Sequence, residues 1–258
     1  MSEPSGHELE RVLLRRQEVL NALVRESRTK PELVAQLDIP RSTLDDIVRD
    51  LSDAGLVAYV DGRWQSTPVG SCARGIYQSY AERMQGLAEA VTVLEGSDVT
   101  EIDCAMLDGC TVFENDGVLP DKVVIEFLDR LRSADTLHGL VPRALAGHVP
   151  TTHEAMLDGT LTTTEMVFEP TVYEKVVEMY PDQMRDELER DHVDHYLAEI
   201  PVSFGLWIAD DENAGAMIYS DEGVRGIIVN DSDAAVEWAR DTYEQARDDA
   251  GQVTELPT

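Results

Sequence analysis

The sequence predicts an α+β chain: a small, mainly helical N-terminal unit, a long linker helix and a larger C-terminal α/β domain. Three observations predict this class. Residues 29–67 pass from helical spacing of apolar residues to two short strands around an Asp-Gly pair. Residues 68–94 repeat an apolar residue every three or four positions without interruption. Residues 203–229 contain three apolar runs separated by the polar turns DDENAG and SDEG.

The N-terminal unit, residues 1–67, is predicted to begin with two helices. Apolar residues recur with helical spacing through residues 8–25. Thr29 is a good N-cap for the second helix, and Pro31 falls in its first turn, where a missing N–H does no harm. Asp38-Ile39-Pro40 then forms a turn, and we expect Ile39 to pack between the second and third helices.

A third helix and a two-stranded ribbon complete this unit. The third helix has an inner stripe of Leu44, Ile47, Val48 and Leu51, and it ends at Gly55. Residues 56–60 and 63–67 are predicted strands, and the Asp61-Gly62 pair between them strongly favours a hairpin turn. Helix, turn, helix and ribbon in this order predict a winged helix-turn-helix. That fold usually places one helix in the major groove of DNA.

The third helix offers side chains that can contact DNA. Its residues Arg41, Ser42, Thr43 and Arg49 point away from the inner stripe, and arginine can bind guanine through two hydrogen bonds. Residues at the start of the second helix and in the ribbon are placed for phosphate contacts. The predicted DNA-binding residues are therefore Arg28, Lys30, Arg41, Ser42, Thr43, Arg49 and Arg63.

Double-stranded DNA is thus the predicted partner, but several acidic residues weigh against it. Asp45, Asp46, Asp50 and Asp53 lie on or beside the same helix, where they would repel a phosphate backbone. The alternative is a protein-interaction scaffold whose winged helix does not touch DNA. The order of the elements favours DNA binding.

The linker, residues 68–95, is predicted as one helix from Pro68 to about Leu94. Its apolar stripe covers roughly seven turns and consists of Val69, Cys72, Ile76, Tyr80, Met84, Leu87, Val91 and Leu94. A stripe of this length directly after a winged helix predicts dimerisation, and hence a homodimer. The alternative is that the helix packs against the C-terminal domain of its own chain.

Residues 96–251 are predicted to form an α/β effector or oligomerisation domain, followed by a frayed tail at 252–258. Residues 100–105, 136–141 and 165–168 are candidate strands, and 120–131 is a candidate helix. The sequences TTHE and TVYE, from Thr151 and Thr171, resemble capping boxes that open helices. The three apolar runs within 203–229 predict an antiparallel meander, and residues 232–250 predict a final amphipathic helix.

The charge balance is extreme. Asp and Glu number 51 against 21 Lys and Arg, a net charge of −30, and only three of the basic residues are lysines. Residues 1–67 carry nine basic and twelve acidic residues, so most of the excess acid lies in the remainder. The periodic apolar stripes argue against a disordered acidic chain. A halophilic protein whose acidic surface is screened by concentrated salt explains the composition better.

Composition also bounds the location of the protein. No apolar run approaches the ~18 residues that span a bilayer, and the first ten residues lack the features of a signal peptide. We therefore expect a cytoplasmic protein with no membrane partner. Three cysteines, Cys72, Cys104 and Cys110, form no C-x-x-C pair, which fits reduced thiols.

Four segments carry a resemblance to a known family. They are LVAQLDIPRSTLDDIVRDLSDAGLV, HGLVPRALAGHVPTTHEAMLDG, FGLWIADDENAGAMIYSDEGVRGIIV and DAAVEWARDTYEQARDDA. Through them, nearly all of residues 8–250 resembles the haloarchaeal winged-helix transcriptional regulators whose second half is named after a methanogenesis regulator. These are relatives of the TrmB-type sugar-responsive regulators. The resemblance implies a dimeric regulator that responds to a ligand or signal, and it assigns no binding residue.

Catalytic motifs are absent from the sequence. TrmB-type sensor domains are similar to phospholipase D folds, whose nucleophile motif is H-x-K-x-x-x-x-D, yet no histidine here has a lysine two positions later. The glycine-rich nucleotide-binding motifs are missing too. The sequence thus predicts no enzyme, no cofactor and no catalytic residue.

One sequence cluster could suggest a metal site. In the segment DHVDH, His192 and His195 stand among aspartates, all of them side chains that can bind a metal. No third cluster of ligands supports such a site. We therefore predict a polar surface turn here and no metal.

A small-molecule effector would need a pocket that combines aromatic side chains with a few polar groups. The candidates are His138, Arg143, His153, Tyr173, Tyr196, Trp207 and Tyr219. Arg143 follows an apolar strand in a domain with few cations, and it can bind a carboxylate or phosphate through two hydrogen bonds. The alternative for Arg143 is a structural ion pair with one of the many acids.

Overall fold

The computed structural model describes residues 5–115, 117, 121–221 and 223–256. The chain divides into two compact units, Met1–Glu82 and Arg83–Thr258. Helices and strands are mixed along the chain, so the α+β class is confirmed. Within the described residues, no helix combines the length and hydrophobicity needed to cross a membrane.

The first unit contains the predicted winged helix-turn-helix. Its elements are α1 (Gly6–Arg25), α2 (Lys30–Leu37), α3 (Arg41–Asp53), β1 (Val57–Val60) and β2 (Arg63–Ser66). Thr29 caps α2 as predicted: its side chain accepts the N–H of Glu32, and the Glu32 carboxylate accepts the N–H of Thr29 at 2.7 Å. Asp61 and Gly62 both adopt positive φ, the backbone that a tight two-residue hairpin requires.

The core of this unit follows from the helical spacing. Leu33, Leu44, Leu51 and Leu56 are fully buried, and Ile39 in the turn packs beside them as predicted. Two backbone hydrogen bonds between Arg28 and Trp64, at 2.7 and 2.8 Å, fix the ribbon to the segment before α2. The surfaces of α2, α3 and the ribbon are therefore held in a defined arrangement.

The linker helix α4 (Pro68–Leu94) has the predicted bounds but a divided stripe. Val69, Ile76, Tyr80, Met84 and Val91 are 47–67% exposed, whereas Leu87 and Leu94 are half-buried. Ala90 and Val93 are buried in the core of the second unit, and Leu94 packs against the same core. The last turns of α4 thus pack against the C-terminal domain of the same chain, as the alternative prediction had it. The apolar face formed by the five exposed residues remains uncovered.

Gly70 makes close packing possible at the start of α4. A Cβ at this position would lie 2.0 Å from the carbonyl oxygen of Leu56, which belongs to the backbone and cannot move aside. We expect Gly70→Ala to destabilise the protein by about 1–3 kcal/mol. Gly75→Ala is the matched control because nothing lies within 4 Å of its Cβ, and alanine there should stabilise the helix slightly. Thermal unfolding of both variants tests this; equal melting temperatures would contradict it.

The second unit is an eight-stranded sheet with helices on both faces. Its helices are α5 (Cys104–Leu107), α6 (Asp121–Ser133), α7 (Val149–Asp158), α8 (Pro170–Met179), α9 (Pro181–Leu188) and α10 (Asp233–Asp248). Its strands are β3 (Thr111–Glu114), β4 (Thr136–Val141), β5 (Thr163–Phe168), β6 (Val193–Leu197), β7 (Gly205–Ala209), β8 (Asn213–Ser220), β9 (Gly223–Asn230) and β10 (Gly251–Gln252). The strand order is β10-β6-β5-β4-β7-β8-β9-β3.

The sheet is mixed. Strands β4, β5 and β6 are parallel, whereas β7, β8 and β9 form the predicted antiparallel meander. Because side chains alternate along each strand, one face packs on α6 and α7 through Leu137 and Ile227. The other face packs on α10 through Leu140, Ile208 and Ile228.

Three local predictions are wrong. Residues 100–105 form no strand: Asp103 caps the short helix α5 instead, its side chain accepting the N–H of Ala105. Helices α7 and α8 begin two or one residues before the predicted capping boxes, because a proline in the first turn already favours helical φ. The segment DHVDH is a turn only at Asp191 and His192; from Val193 it belongs to β6, where His195 is fully buried.

The chain beyond Gly251 does not fray as predicted. Gln252 pairs with Tyr196 of β6, and the N–H of Val253 donates to the carbonyl of His195 at 2.8 Å. Val253 and Leu256 then pack against the cluster around Phe168. Residues 257–258 of the predicted tail, and Pro120 of the predicted helix, lie outside the described residues. All three cysteines are free, as predicted.

Candidate nucleic-acid interface and ligand cavity

The predicted recognition helix α3 buries one face and exposes the other. Its inner stripe fills the core of the winged helix, while Arg41, Ser42, Thr43 and Arg49 are exposed. Arg41 forms no ion pair with any described residue. The first turn of α3 therefore presents one unpaired guanidinium and two hydroxyls to the surface, which is a suitable set for base edges and phosphates.

Acidic side chains form ion pairs with Lys30 and Arg49, the cations next to this turn. The Lys30 ammonium contacts the Asp45 carboxylate, and the Arg49 guanidinium contacts that of Asp46. The hydrogen bond from Lys30, assisted by the charges of Lys30, Arg41 and Arg49, lowers the pKa of Asp45. These cations must leave their carboxylates before they can bind phosphate.

Arg63 holds the ribbon in place. Its guanidinium donates to the Ser27 carbonyl at 3.1 and 2.8 Å and to the Glu32 carboxylate at 2.8 Å. The backbone N–H of Thr29 is the main cause, and Arg63 a further one, of the lowered pKa of Glu32. Arg28 pairs with Glu26 at 3.2 Å. The contact of each of these seven residues with DNA remains a prediction.

The second unit contains a cavity of about 150 Å³ on the sheet face covered by α6 and α7. Four of the seven predicted ligand residues line it: Arg143, His153, Trp207 and Tyr219. The rest of the lining is mostly apolar. The structure thus brings together just over half of the predicted set.

The other three candidates lie elsewhere, which corrects the predicted ligand set. Tyr173 is fully buried against Phe168 and His195, and burial raises the pKa of Tyr173 to about 12. His138 and Tyr196 are on the opposite face of the sheet. There the His138 ring lies tilted against that of Tyr243, with the ring centres 5.3 Å apart, and Tyr196 lies beneath the guanidinium of Arg247 at 3.4 Å. Strand register decides this, because neighbouring residues point to opposite faces.

The cavity also contains a buried acid that the sequence did not single out. Glu187 on α9 is 5% exposed, and its carboxylate lies 2.9 Å from His153 Nδ1 and 3.1 Å from His195 Nε2. His153 Nε2 also lies 3.3 Å from Asp186. Nothing in the sequence distinguishes Glu187 from the many exposed acids around it. Its neighbours, His153 and His195, lie on other elements and come close to it only in the folded chain.

Arg143 and Tyr219 form the other polar part of the cavity. The Tyr219 hydroxyl donates to the Arg143 carbonyl at 3.2 Å, and the guanidinium lies 5.9 Å from the centre of the Tyr219 ring. Burial raises the pKa of Tyr219, which keeps the phenol neutral. Arg143 is exposed and makes no ion pair with the described residues, so the predicted alternative of a structural ion pair is not seen there.

A winged helix followed by a mixed α/β domain defines a two-part transcriptional regulator. The model of the middle domain of the methanogenesis regulatory protein FilR1 matches residues 120–249, which are 130 of the 258 residues. The model of the HVO_A0261 N-terminal domain matches residues 10–89. The chain therefore belongs to the FilR1 middle-domain family, and the predicted resemblance to a methanogenesis-type regulator is confirmed.

Solved structures give weaker likenesses. TrmBL2, an archaeal chromatin protein described as having a novel mode of DNA binding, is 13% identical over 96% of this chain and 100% of that chain, with a TM-score of 0.42. Nuc of Salmonella typhimurium, a phospholipase D family member, is 6% identical over 57% of this chain and 98% of that chain, with a TM-score of 0.42. NucT of Helicobacter pylori is 8% identical over 56% and 98%, with a TM-score of 0.44.

Those TM-scores are low, so the assignment depends on the family match. No curated protein sequence matches the chain significantly.

Proposed function

We propose that this transcriptional regulator binds specific DNA sequences as a homodimer and responds to a small-molecule effector through its second unit. The observation that supports DNA binding best is the first turn of α3, where Arg41, Ser42 and Thr43 are exposed and Arg41 lacks an ion pair among the described residues. A recognition helix needs such free donors to read base edges.

The exposed apolar face of α4 supports the homodimer. Its five large residues, Val69, Ile76, Tyr80, Met84 and Val91, follow one another at helical spacing. A continuous apolar face of this kind commonly marks a protein–protein interface. A second copy of the same helix is the simplest partner, because two-fold symmetry pairs identical faces and gives DNA two half-sites.

The cavity of the second unit supports an effector. It combines an apolar lining with two separate polar groups, which is the composition of a small-molecule site. We propose that the protein binds this effector without converting it, since the sequence carries no catalytic or cofactor motif. A halophilic setting accounts for the net charge of −30 and the three lysines.

The decisive experiment is to recover DNA fragments from cells by chromatin immunoprecipitation and to measure their binding by fluorescence anisotropy at several KCl concentrations. We expect recovered promoter fragments to bind more tightly than shuffled fragments of equal length. If both bind equally at every salt concentration, the winged helix is not a sequence reader. The scaffold interpretation would then replace this proposal.

Salt should stabilise the folded protein. At low ionic strength its negative charges repel one another, and at molar salt the Debye length falls to about 3 Å. We expect the melting temperature to rise by on the order of 10 °C between tenths molar and molar KCl. Sorbitol at equal osmolality is the control, because it is excluded from the protein surface and lowers the water activity without screening charge. A flat curve in KCl, or an equal rise in sorbitol, would contradict the halophilic proposal.

A further inference from the structure

Two glycines shape one wall of the cavity of the second unit, where Trp207 and Met166 lie. In the register of the sheet, Trp207 on β7 has Gly139 of β4 on one side and Gly215 of β8 on the other. A Cβ at Gly215 would lie 1.9 Å from the indole, so only glycine lets the indole lie across that strand. A Cβ at Gly139 would lie 2.7 Å from the end of the Met166 side chain. The two glycines therefore let the Trp207 indole and the end of Met166, both in the cavity wall, occupy positions that larger residues would block.

The walls of the cavity suit a flat apolar body. Met156, Met166, Met184 and Met217 all line it, and Phe127 meets Trp207 edge-on at 5.1 Å. Thioethers and aromatic edges both make favourable contacts with an aromatic ring. A dry cavity of comparable volume, lined by apolar side chains, can hold benzene. The space thus fits a body of one ring.

The charged group at the cavity favours an anionic ligand. Arg143 lines the cavity, and no described carboxylate occupies its guanidinium. A guanidinium donates several hydrogen bonds and carries a positive charge, so it pairs well with a carboxylate. The Trp207 indole lines the same cavity and is almost fully buried.

The buried acid in the cavity does not reverse this preference. Glu187 already lies against two imidazoles, at 2.9 Å from His153 and 3.1 Å from His195. Its Oε1 is hydrogen-bonded to His153 and its Oε2 lies beside His195, so the carboxylate is already occupied within the protein. Arg143 is the charge at this cavity that still lacks a described partner.

We propose that this cavity binds a small aromatic monocarboxylate, with one ring between Trp207 and the methionines and the carboxylate on Arg143. The inference deepens the proposed function by naming the chemical class of its effector. A neutral ligand would leave the guanidinium unpaired, and a sugar would find too few polar side chains in the walls.

Isothermal titration calorimetry of the full chain in molar KCl tests whether the ligand is a small aromatic monocarboxylate. The probes are benzoate, benzyl alcohol and benzylamine, which share one ring and differ in charge. We expect saturable binding of benzoate with one molecule per chain, weaker binding of benzyl alcohol, and none of benzylamine. Binding of benzylamine in preference to benzoate, or no saturable benzoate binding up to about 10 mM, would overturn the proposal.

Two variants locate the site. Arg143→Gln should weaken benzoate at least about tenfold and leave benzyl alcohol within about twofold, because only the ion pair is lost. Gly139→Ala should weaken both ligands, since its Cβ pushes Met166 towards the cavity. Arg132→Gln, which removes an arginine outside the cavity lining, is the matched control. Thermal unfolding confirms that each variant is folded. Unchanged benzoate affinity in Arg143→Gln would contradict the assigned site.

Benzoate binding and DNA affinity, measured separately, distinguish a failure of this inference from a failure of the proposed function. If benzoate binds as expected but leaves DNA affinity unchanged, the cavity assignment holds and the effector part of the proposed function fails. If benzoate does not bind while specific DNA binding persists, only the cavity assignment fails.

Discussion

Replacing Ile76 and Tyr80 together by glutamate is expected to convert the homodimer into monomers and to abolish tight DNA binding. The two side chains are 67% and 53% exposed, so the change should cost the folded chain little. In the proposed dimer it places four carboxylates in an apolar interface, where an unpaired charge is strongly unfavourable. A monomer contacts one half-site, so its affinity for a two-half-site operator should fall by at least about a hundredfold.

Light scattering at molar KCl measures the oligomeric state, and anisotropy measures the DNA affinity. The matched control is Gln78→Glu with Gln85→Glu, which adds the same charge to the opposite, polar face of α4. We expect the control to remain dimeric. If the Ile76/Tyr80 variant stays dimeric while melting like the wild type, another surface holds the dimer together.

Local signals in the sequence predicted the elements well. Thr29 and Pro68 mark helix starts through short-range chemistry, the cap and the fixed φ of proline, and both helices begin where these residues predict. The antiparallel meander was equally predictable, because its first turn contains Asp210 and Asp211. Both adopt positive φ, a backbone conformation that aspartate tolerates. Each of these signals acts over a few residues, so distant parts of the chain do not alter it.

Burial of polar residues could not be predicted in the same way. His195 and Glu187 belong to a segment rich in charged residues, and the sequence around them resembles a solvated surface. They are buried because β6 pairs in parallel with β5 and α9 covers that end of the sheet face. Such long-range pairing leaves no local pattern. The wrong assignment of Tyr196 to the cavity has the same origin, since register alone decides its face.

The stripe of α4 shows a further limit. Apolar spacing predicts that a helix has a face to bury, but not which surface covers it. Val93 meets the core of its own chain, while Val91, two residues earlier, is 59% exposed. Both residues belong to apolar positions of one helix. Only the packed structure separates the part already covered from the part that remains available.

The DNA interface should respond in opposite directions to two kinds of substitution on α3. Arg41→Ala removes a free guanidinium and should weaken specific binding about tenfold or more, with relaxed preference at one base pair. Asp46→Asn removes the carboxylate that holds Arg49, and Asp45→Asn the one that holds Lys30. Both should strengthen binding, because the released cation can contact phosphate without first breaking an ion pair.

The salt dependence of DNA affinity shows whether an Asp→Asn variant gains affinity from a freed Lys or Arg side chain or only from its change in net charge. The wild-type salt slope should be shallower than about −0.9 per phosphate contact, because carboxylates beside the bound DNA take up cations and so offset part of those that the DNA releases. Asp46→Asn should therefore bind several-fold more tightly at tenths molar KCl, with a steeper slope, and approach the wild type at molar KCl. Asp53→Asn, with the same charge change at the far end of α3, should show a smaller gain. Anisotropy on one promoter fragment measures all five proteins, the wild type and the four variants. Equal gains in Asp46→Asn and Asp53→Asn, or unchanged binding in Arg41→Ala, would mean that α3 does not read the groove.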